Sequence, residues 1–442
     1  MELSYRYIKN EGHEETTRKI GRQNCYFLRF LFILLLLQPV FESGGFGGAN
    51  LFSYLDDAVA LVLLICFIFK SLTGFVLKRE EQKIVGWSFA LLILGLLSSL
   101  VFYIQPVQAV LVDAFTCFKF LFAYLGIRSL YSERISPFFI EKNFNLIAKI
   151  FAVLFFVLTL HDSIFAPFFP YFDYRYSLYS IRLFYPHPQG LAEPCIILTC
   201  ILASSLERHK SNLVYILMFA FVIFRTLRVK SIGFILVFFI LLVLVYWMKL
   251  HSDSVILVLL LCCGLYVSWD QLQNVFLNDT QARAIMLHGS FVVANQYFPL
   301  GSGFGTFGSY MASVYYSPIY SAFGYGKLYE MSAKSGSFLT DIFWPTVIAQ
   351  FGYIGLLLFL VIVFYLFKMA FQLKKADRSD YVATLSILIY MMIASTSESA
   401  FFNPNAVPIF IIFGLLVCQG FCRKSDQDRS GAVTVYQSKY IK

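Results

Sequence analysis

The stretch "LVYILMFAFVIFRTLRVKSIGFILVFFILLVLVYW" (residues 213–247) sets two long apolar runs on either side of the basic string "FRTLRVKS" (224–231). A helix needs about 20 mostly apolar residues to cross a bilayer. Thirty-five such residues are too many for one crossing, and the basic string marks where the chain turns back. The stretch reads as two spans, 211–227 and 231–249, joined by a short connector at one membrane face. If the first helix instead continued through the connector, Arg225 and Arg228 would fall at i and i+3 on one helix face.

The same pattern runs along the chain. Of its 442 residues 59% are hydrophobic, 14% are charged and 50 are Phe, against about 25% charged and 45–50% apolar in a soluble domain. Candidate spans are 25–41, 55–77, 84–104, 107–127, 144–166, 191–206, 211–227, 231–249, 254–270, 338–367, 380–397 and 405–421. The fold class expected is all-α, a polytopic membrane protein of about twelve spans. The transmembrane domain covers 25–421, between a polar cytoplasmic segment, 1–24, and a cytoplasmic tail, 422–442. No cleavable signal pattern precedes the first span.

Cytoplasmic flanks of membrane helices are enriched in Lys and Arg. With a cytoplasmic amino terminus, 26 of the 35 Lys and Arg fall inside, eight fall outside, and Lys119 lies within a span. The net charge of +9 follows from this asymmetry and does not suggest nucleic acid. The nine cysteines show neither paired spacing nor a zinc pattern. Two outer loops, 161–190 and 271–337, are long enough to do work at the outer face.

The eight outer basic residues violate the asymmetry, and so they need a reason. Arg175, Lys327 and Lys334 equally suit snorkelling to lipid headgroups. Arg182, Arg225, Arg228, Lys230 and Arg283 come from three separate segments, and an arginine fork suits a diphosphate. Three acidic residues lie on the same side near span ends: Glu193, Asp341 and Glu398. Glu193 and Asp341 equally suit a role opposing a helix dipole. His187 is a further titratable group, but no second histidine stands at metal-ligand spacing, and no metal is expected. Gly303, Gly305 and Gly308 match G-x-G-x-x-G, yet no strand precedes them, so "GSGFGTFG" (301–308) reads as a tight turn. "DQD" (426–428) lies in the tail and is read as chance.

Five stretches together resemble a known family: "RLFYPHPQGLAEP" (182–194), "RVKS" (228–231), "TQARAIMLHGSFVVANQYFPLGSGFGTFGSY" (280–310), "DIFWPTVIAQFGYIGLLLF" (341–359) and "SESAFFNPN" (397–405). The chain resembles bacterial O-antigen and capsular polysaccharide polymerases of the Wzy type, in the O-antigen ligase and polymerase superfamily. The ligase branch usually carries a histidine where this chain has Thr340-Asp341, which favours polymerase over ligase.

The resemblance implies a GT-C-like architecture and a metal-independent, cofactor-free glycosyltransferase of the bacterial inner membrane. Its substrate would be an oligosaccharide on undecaprenyl diphosphate, met at the periplasmic face. Membrane lipids and a chain-length regulator are the other partners it brings into view. On that reading Arg182, Arg225, Arg228, Lys230 and Arg283 hold the diphosphate. Glu193 is the first candidate for the general base, ahead of Asp341 and His187. Gly301, Gly303, Gly305 and Glu398 belong to a substrate-binding loop, and Pro186, Pro188 and Gly190 shape a re-entrant turn. The different-class alternative, a lipid-linked oligosaccharide flippase, would need a cationic cavity deep in the membrane.

Overall fold

The computed structural model describes residues 25–43, 52–132, 135–248, eight positions between 255 and 273, and 281–440, with side chains described up to Lys424. It is 73% helix and 1% strand. The helices are α1 (Cys25–Ser43), α2 (Leu55–Leu72), α3 (Arg79–Phe102), α4 (Val107–Tyr131), α5 (Phe139–Ile164), α6 (Pro188–Ala203), α7 (Asn212–Arg225) and α8 (Val229–Leu242). After the partly described segment come α9 (Ala282–Gln296), the one-turn α10 (Tyr310–Val314) and α11 (Pro318–Ala322), then α12 (Trp344–Leu373), α13 (Arg378–Ala394) and α14 (Ala406–Tyr440).

Eight of the described helices are long and apolar enough to cross a membrane. The expected count of twelve is not reached on length and composition. Helices α6 and α7 are shorter apolar helices, α13 has 17 residues, and the expected span 254–270 lies largely outside the described residues. The split within 213–247 is present: Arg225 ends α7, Leu227 takes a left-handed φ of 53°, and Arg228 caps α8. Arg225 and Arg228 thus stand on two helices and share no helix face.

Several charged residues inside the bundle are paired. Lys119 of α4 meets Asp56 of α2 at 2.5 Å, and Gln38 of α1 donates to the same carboxylate at 2.9 Å. The Arg128 guanidinium grips both Glu81 oxygens, at 2.5 and 3.1 Å, tying the end of α4 to the start of α3. At that same end of the bundle Arg423 of α14 bridges Asp377 at 2.5 Å and Asp380 at 2.7 Å. Pairing is what makes such burial tolerable, because an uncompensated charge in an apolar medium costs several kcal/mol.

The segment 281–343, expected to be a loop, is folded rather than loose. It has its own core, in which Met286, Val293, Phe307, Tyr320 and Tyr325 are buried against Ala349 of α12. The expected tight turn is there and is deeply buried, with left-handed φ at Gly301, Gly303, Gly305 and Gly308. It seats against a break in α12. Gly352 (φ 64°, ψ −168°) interrupts that helix, so the carbonyls one turn earlier lose their regular i+4 donors. Ser302 N–H donates to the Ala349 carbonyl and Gly303 N–H to the Gln350 carbonyl, both at 2.9 Å. On the other side of the turn the Ser98 hydroxyl of α3 donates to the Gly301 carbonyl at 2.6 Å, and Asp113 of α4 accepts from Gly305 N–H at 2.7 Å.

A Cβ on Gly301 would lie 2.4 Å from the Gly352 nitrogen, whereas one on Gly74, also at positive φ, would meet nothing within 4 Å. Gly74→Ala should therefore cost only the backbone strain, about 1–2 kcal/mol. Gly301→Ala adds a backbone clash and should cost about 3 kcal/mol or more. Thermal unfolding in detergent should rank the two in that order; equal losses would mean the turn is not seated on α12.

Candidate functional site

Three segments meet at the end of the bundle where α6 and α8 begin. The first is the loop after α5. It carries a two-stranded hairpin, β1 (Tyr174–Arg175) and β2 (Leu178–Tyr179), turned by Tyr176 and Ser177 with φ of 50° and 61°, the geometry of a two-residue I′ turn. The hairpin holds Asp173 at its base. This carboxylate accepts from Arg175 Nε at 2.7 Å, from Arg228 at 3.1 Å and from the Ser180 hydroxyl. Burial pushes the Asp173 carboxyl up, but the Ser180 hydroxyl, Arg228 and Arg175 together hold it below the usual carboxylate range.

Beside it the Phe172 ring takes Arg228 at 5.3 Å and Arg182 at 6.0 Å, with the His187 ring edge-on at 4.6 Å. Cations over an aromatic face are attracted by its quadrupole. Arg182 binds the carbonyls of Pro170 and Pro186, at 3.1 and 3.0 Å. Among the described residues no carboxylate pairs with it.

The second segment is the start of α6. His187 is its N-cap, with Nδ1 accepting Gln189 N–H at 3.1 Å, and Pro188 takes N1, where a missing N–H costs nothing. The helix therefore begins at the proline expected to lie in a re-entrant turn. The non-helical backbone sits just upstream, where Leu183 has φ 49°. Pro194 lies inside the helix and supplies no N–H for the Gly190 carbonyl.

One turn into α6, Glu193 is 3% exposed. Gln189 donates to it at 3.1 Å and Asn405 donates to its other oxygen. Gln189 is in turn bonded to Tyr390 at 3.2 Å and accepts from the Ser231 hydroxyl of α8 at 3.1 Å. The third segment is the 395–405 connector between α13 and α14. There Glu398 pairs with Lys230 of α8, and the Ser397 carbonyl accepts from Arg283 of α9 at 3.1 Å. Arg283 also binds Asp341, just before α12, at 2.5 Å.

Glu193 and Glu398 line one tight cleft with Tyr390, Asn403 and Asn405. Alongside, Val229, Ile232, Gly233 and Leu236 of α8, with Tyr176, Tyr266 and Trp269, line a wider apolar groove. The groove starts where Arg228 and Lys230 start.

Of the residues singled out in the sequence, Arg182, Arg228, Lys230, Arg283, His187, Glu193, Asp341 and Glu398 are joined through these contacts. The Arg225 side chain turns to the Ser163 hydroxyl at the end of α5 at 3.0 Å, while its carbonyl accepts from Ile181 N–H, beside Arg182, at 3.0 Å. Gly301, Gly303 and Gly305 are packed against α3, α4 and α12 and are not among the residues lining the cleft. Asp173, Gln189 and Asn405 were not singled out. Gln189 alone had a local signal, standing four residues before Glu193 on a helix. Asp173 and Asn405 reach their partners only through folding.

No family model matches the chain, and comparison with characterised protein sequences gives no match.

His187 generates a pH prediction. Burial, with Arg228 and Lys230 nearby, lowers its imidazole to about 4, against about 6.5 in an unfolded chain. The unfolded state takes up the proton first, so stability should be level above about pH 6.5 and fall as the pH drops towards 4. His187→Asn keeps an N-cap acceptor without a titrating ring. It should match the parent protein at pH 7.5 and remove part of the acid-side loss in thermal unfolding; an unchanged pH slope would overturn the assignment.

Proposed function

We propose that the chain is a surface-polysaccharide polymerase, for O-antigen or a similar glycan. It would act as a metal-independent glycosyltransferase of the bacterial inner membrane, with both termini cytoplasmic. It moves the growing glycan from undecaprenyl diphosphate onto the next lipid-linked repeat unit at the periplasmic face. The observation that supports this most is that Lys230 pairs with Glu398, which lines one cleft with Glu193, while Arg283 binds the adjoining Ser397 carbonyl and Arg182 and Arg228 share the Phe172 ring nearby in the same network.

In the reaction the acceptor hydroxyl oxygen forms a bond to the anomeric carbon as that carbon's bond to the diphosphate breaks. The bonding electrons leave on the diphosphate. Preorganised cations where this charge develops are a large catalytic term, and losing one donor costs about 2.7–4 kcal/mol in known cases. The four basic residues fill that role, and the apolar groove beside α8 suits a polyprenyl tail. The attacking hydroxyl has to lose its proton, and Glu193 takes it. His187 is a poor base at neutral pH, with its imidazole lowered to about 4 and its Nδ1 engaged as an N-cap. Lys119, the basic residue expected within a span, is buried against Asp56, a pairing that suits a deep cationic conduit for a flippase poorly.

Twelve crossings follow if α6, α7, α13 and the segment around 255–273 traverse with the eight longer helices. Single cysteines at Ser335 and at Lys375, both exposed, in a background free of native cysteines, should then label from opposite sides. Labelling from the same side would reject this topology.

The glycan phenotype tests the activity. A deletion strain should display one repeat unit per acceptor lipid. Loss of a flippase would leave none displayed, and loss of a ligase would strand long chains on undecaprenyl diphosphate. Glu193→Gln should reproduce the single-repeat pattern in a protein that still folds. Arg182→Lys should cut polymerisation about 100-fold or more, since a point charge cannot replace the fork. Long polymer in the deletion strain would reject the polymerase reading.

A further inference from the structure

The basic residues at this site do not stand as bare charges. Arg228 is held by Asp173 at 3.1 Å, Lys230 by Glu398, and Arg283 by Asp341 at 2.5 Å. In every pair the two partners come from different segments of the chain. Arg182 differs, being bound by carbonyl oxygens alone. A carboxylate and a phosphate oxygen ask the same thing of a cation, a charge-assisted hydrogen bond of similar length. The three carboxylates therefore occupy the positions a polyanion would take.

Of the three, Glu398 alone also lines the cleft, where it faces the same space as Glu193. The Lys230–Glu398 pair is not fully sealed, with side chains 15% and 13% exposed. Glu193 is fixed from two sides by the amides of Gln189 and Asn405, and no such amide clamp holds Glu398 among the described residues.

We propose that a lipid diphosphate displaces Glu398 from Lys230, and that the freed Glu398 turns to the cleft as a second catalytic carboxylate beside Glu193. This rests on the polymerase reading above. Two carboxylates facing one another without a cation between them share a single proton. The acceptor hydroxyl supplies that proton as its oxygen bonds to the anomeric carbon and the diphosphate departs with the electron pair. Donor binding thereby precedes acceptor activation, because the ammonium neutralises Glu398 until the diphosphate has taken it. The same exchange keeps the cations compensated while the site is empty.

The test is binding of undecaprenyl diphosphate to the full-length protein in detergent, read beside polymer length in cells. Glu398→Gln removes the competing anion, so it should bind the lipid diphosphate about fivefold more tightly than the parent and yet give single repeats. The gain should require Lys230: the double variant Lys230→Gln/Glu398→Gln should bind no better than Lys230→Gln. Glu330→Gln, the same charge change on the outer segment away from the cleft, should leave affinity unchanged.

Unchanged or weaker binding by Glu398→Gln overturns the exchange. So does a gain that survives without Lys230, or one that Glu330→Gln matches. If Glu398→Gln does not fold, Glu398→Asp, one methylene short of Lys230, is read by the same criteria. If the parent protein binds no undecaprenyl diphosphate, the polymerase reading itself fails, and the exchange falls with it.

Discussion

The arrangement depends on satisfying the backbone at the break in α12. Gly352 interrupts the helix inside an apolar stretch, and unpaired carbonyls in such surroundings cost several kcal/mol each. Ser302 and Gly303 supply the missing N–H groups. To do so the chain must pass within touching distance of α12, and only glycine at 301 lets the two backbones approach that closely. The turn is then clasped from the opposite side by Ser98, Ser99 and Asp113. Two helices early in the chain are thus bound to one late in it through a turn between them, and the segment 281–343 is anchored as a consequence.

That anchoring sets the position of Arg283. It lies on α9, whose Met286 and Val293 share a core with Ala349 of α12. Arg283 can therefore reach Asp341 before α12 and the Ser397 carbonyl after α13. Trp344 ties the same two places together through the Ser395 hydroxyl at 3.1 Å. The site is a junction of helix ends rather than a face of any one helix, and its charges stand where apolar packing stops. Lys119, Arg128 and Arg423 are consumed in pairs that join neighbouring elements, whereas at this junction cation, carboxylate and cleft occur together.

The helical membrane character was legible because its cause is local. Apolar runs of span length have one compatible backbone solution in lipid apart from a closed barrel, and composition alone reports them. The split at 224–231 was legible for the same reason, since basic residues do not sit within an apolar span without a partner. The number of full-length helices was less so, because apolar composition does not say where a helix ends. Pro188 starts α6 earlier than the polar residues around it suggest, and Gly352 breaks α12 inside a run that reads as continuous. The segment 281–343 reads as a loop in the sequence because its apolar residues lack one period. They are gathered by a turn whose partners lie about two hundred residues away, as with Gly305 and Asp113.

The sequence by itself determined that this is a membrane protein of many helices, and that Arg182, Arg228, Lys230, Arg283, Glu193 and Glu398 break the pattern that lipid imposes. A charge out of place is visible in one dimension, because the cost of burying it is a property of the residue. Only the tertiary structure decided which of these residues stand together. It turned the Arg225 side chain to Ser163, sank the glycine turn against α12, and recruited Asp173, Gln189 and Asn405, of which only Gln189 had a local signal for its partner. The physical reason is range. Partition into lipid acts residue by residue, whereas an ion pair or hydrogen bond needs two groups within about 3 Å, and that proximity is fixed only once the helices have packed.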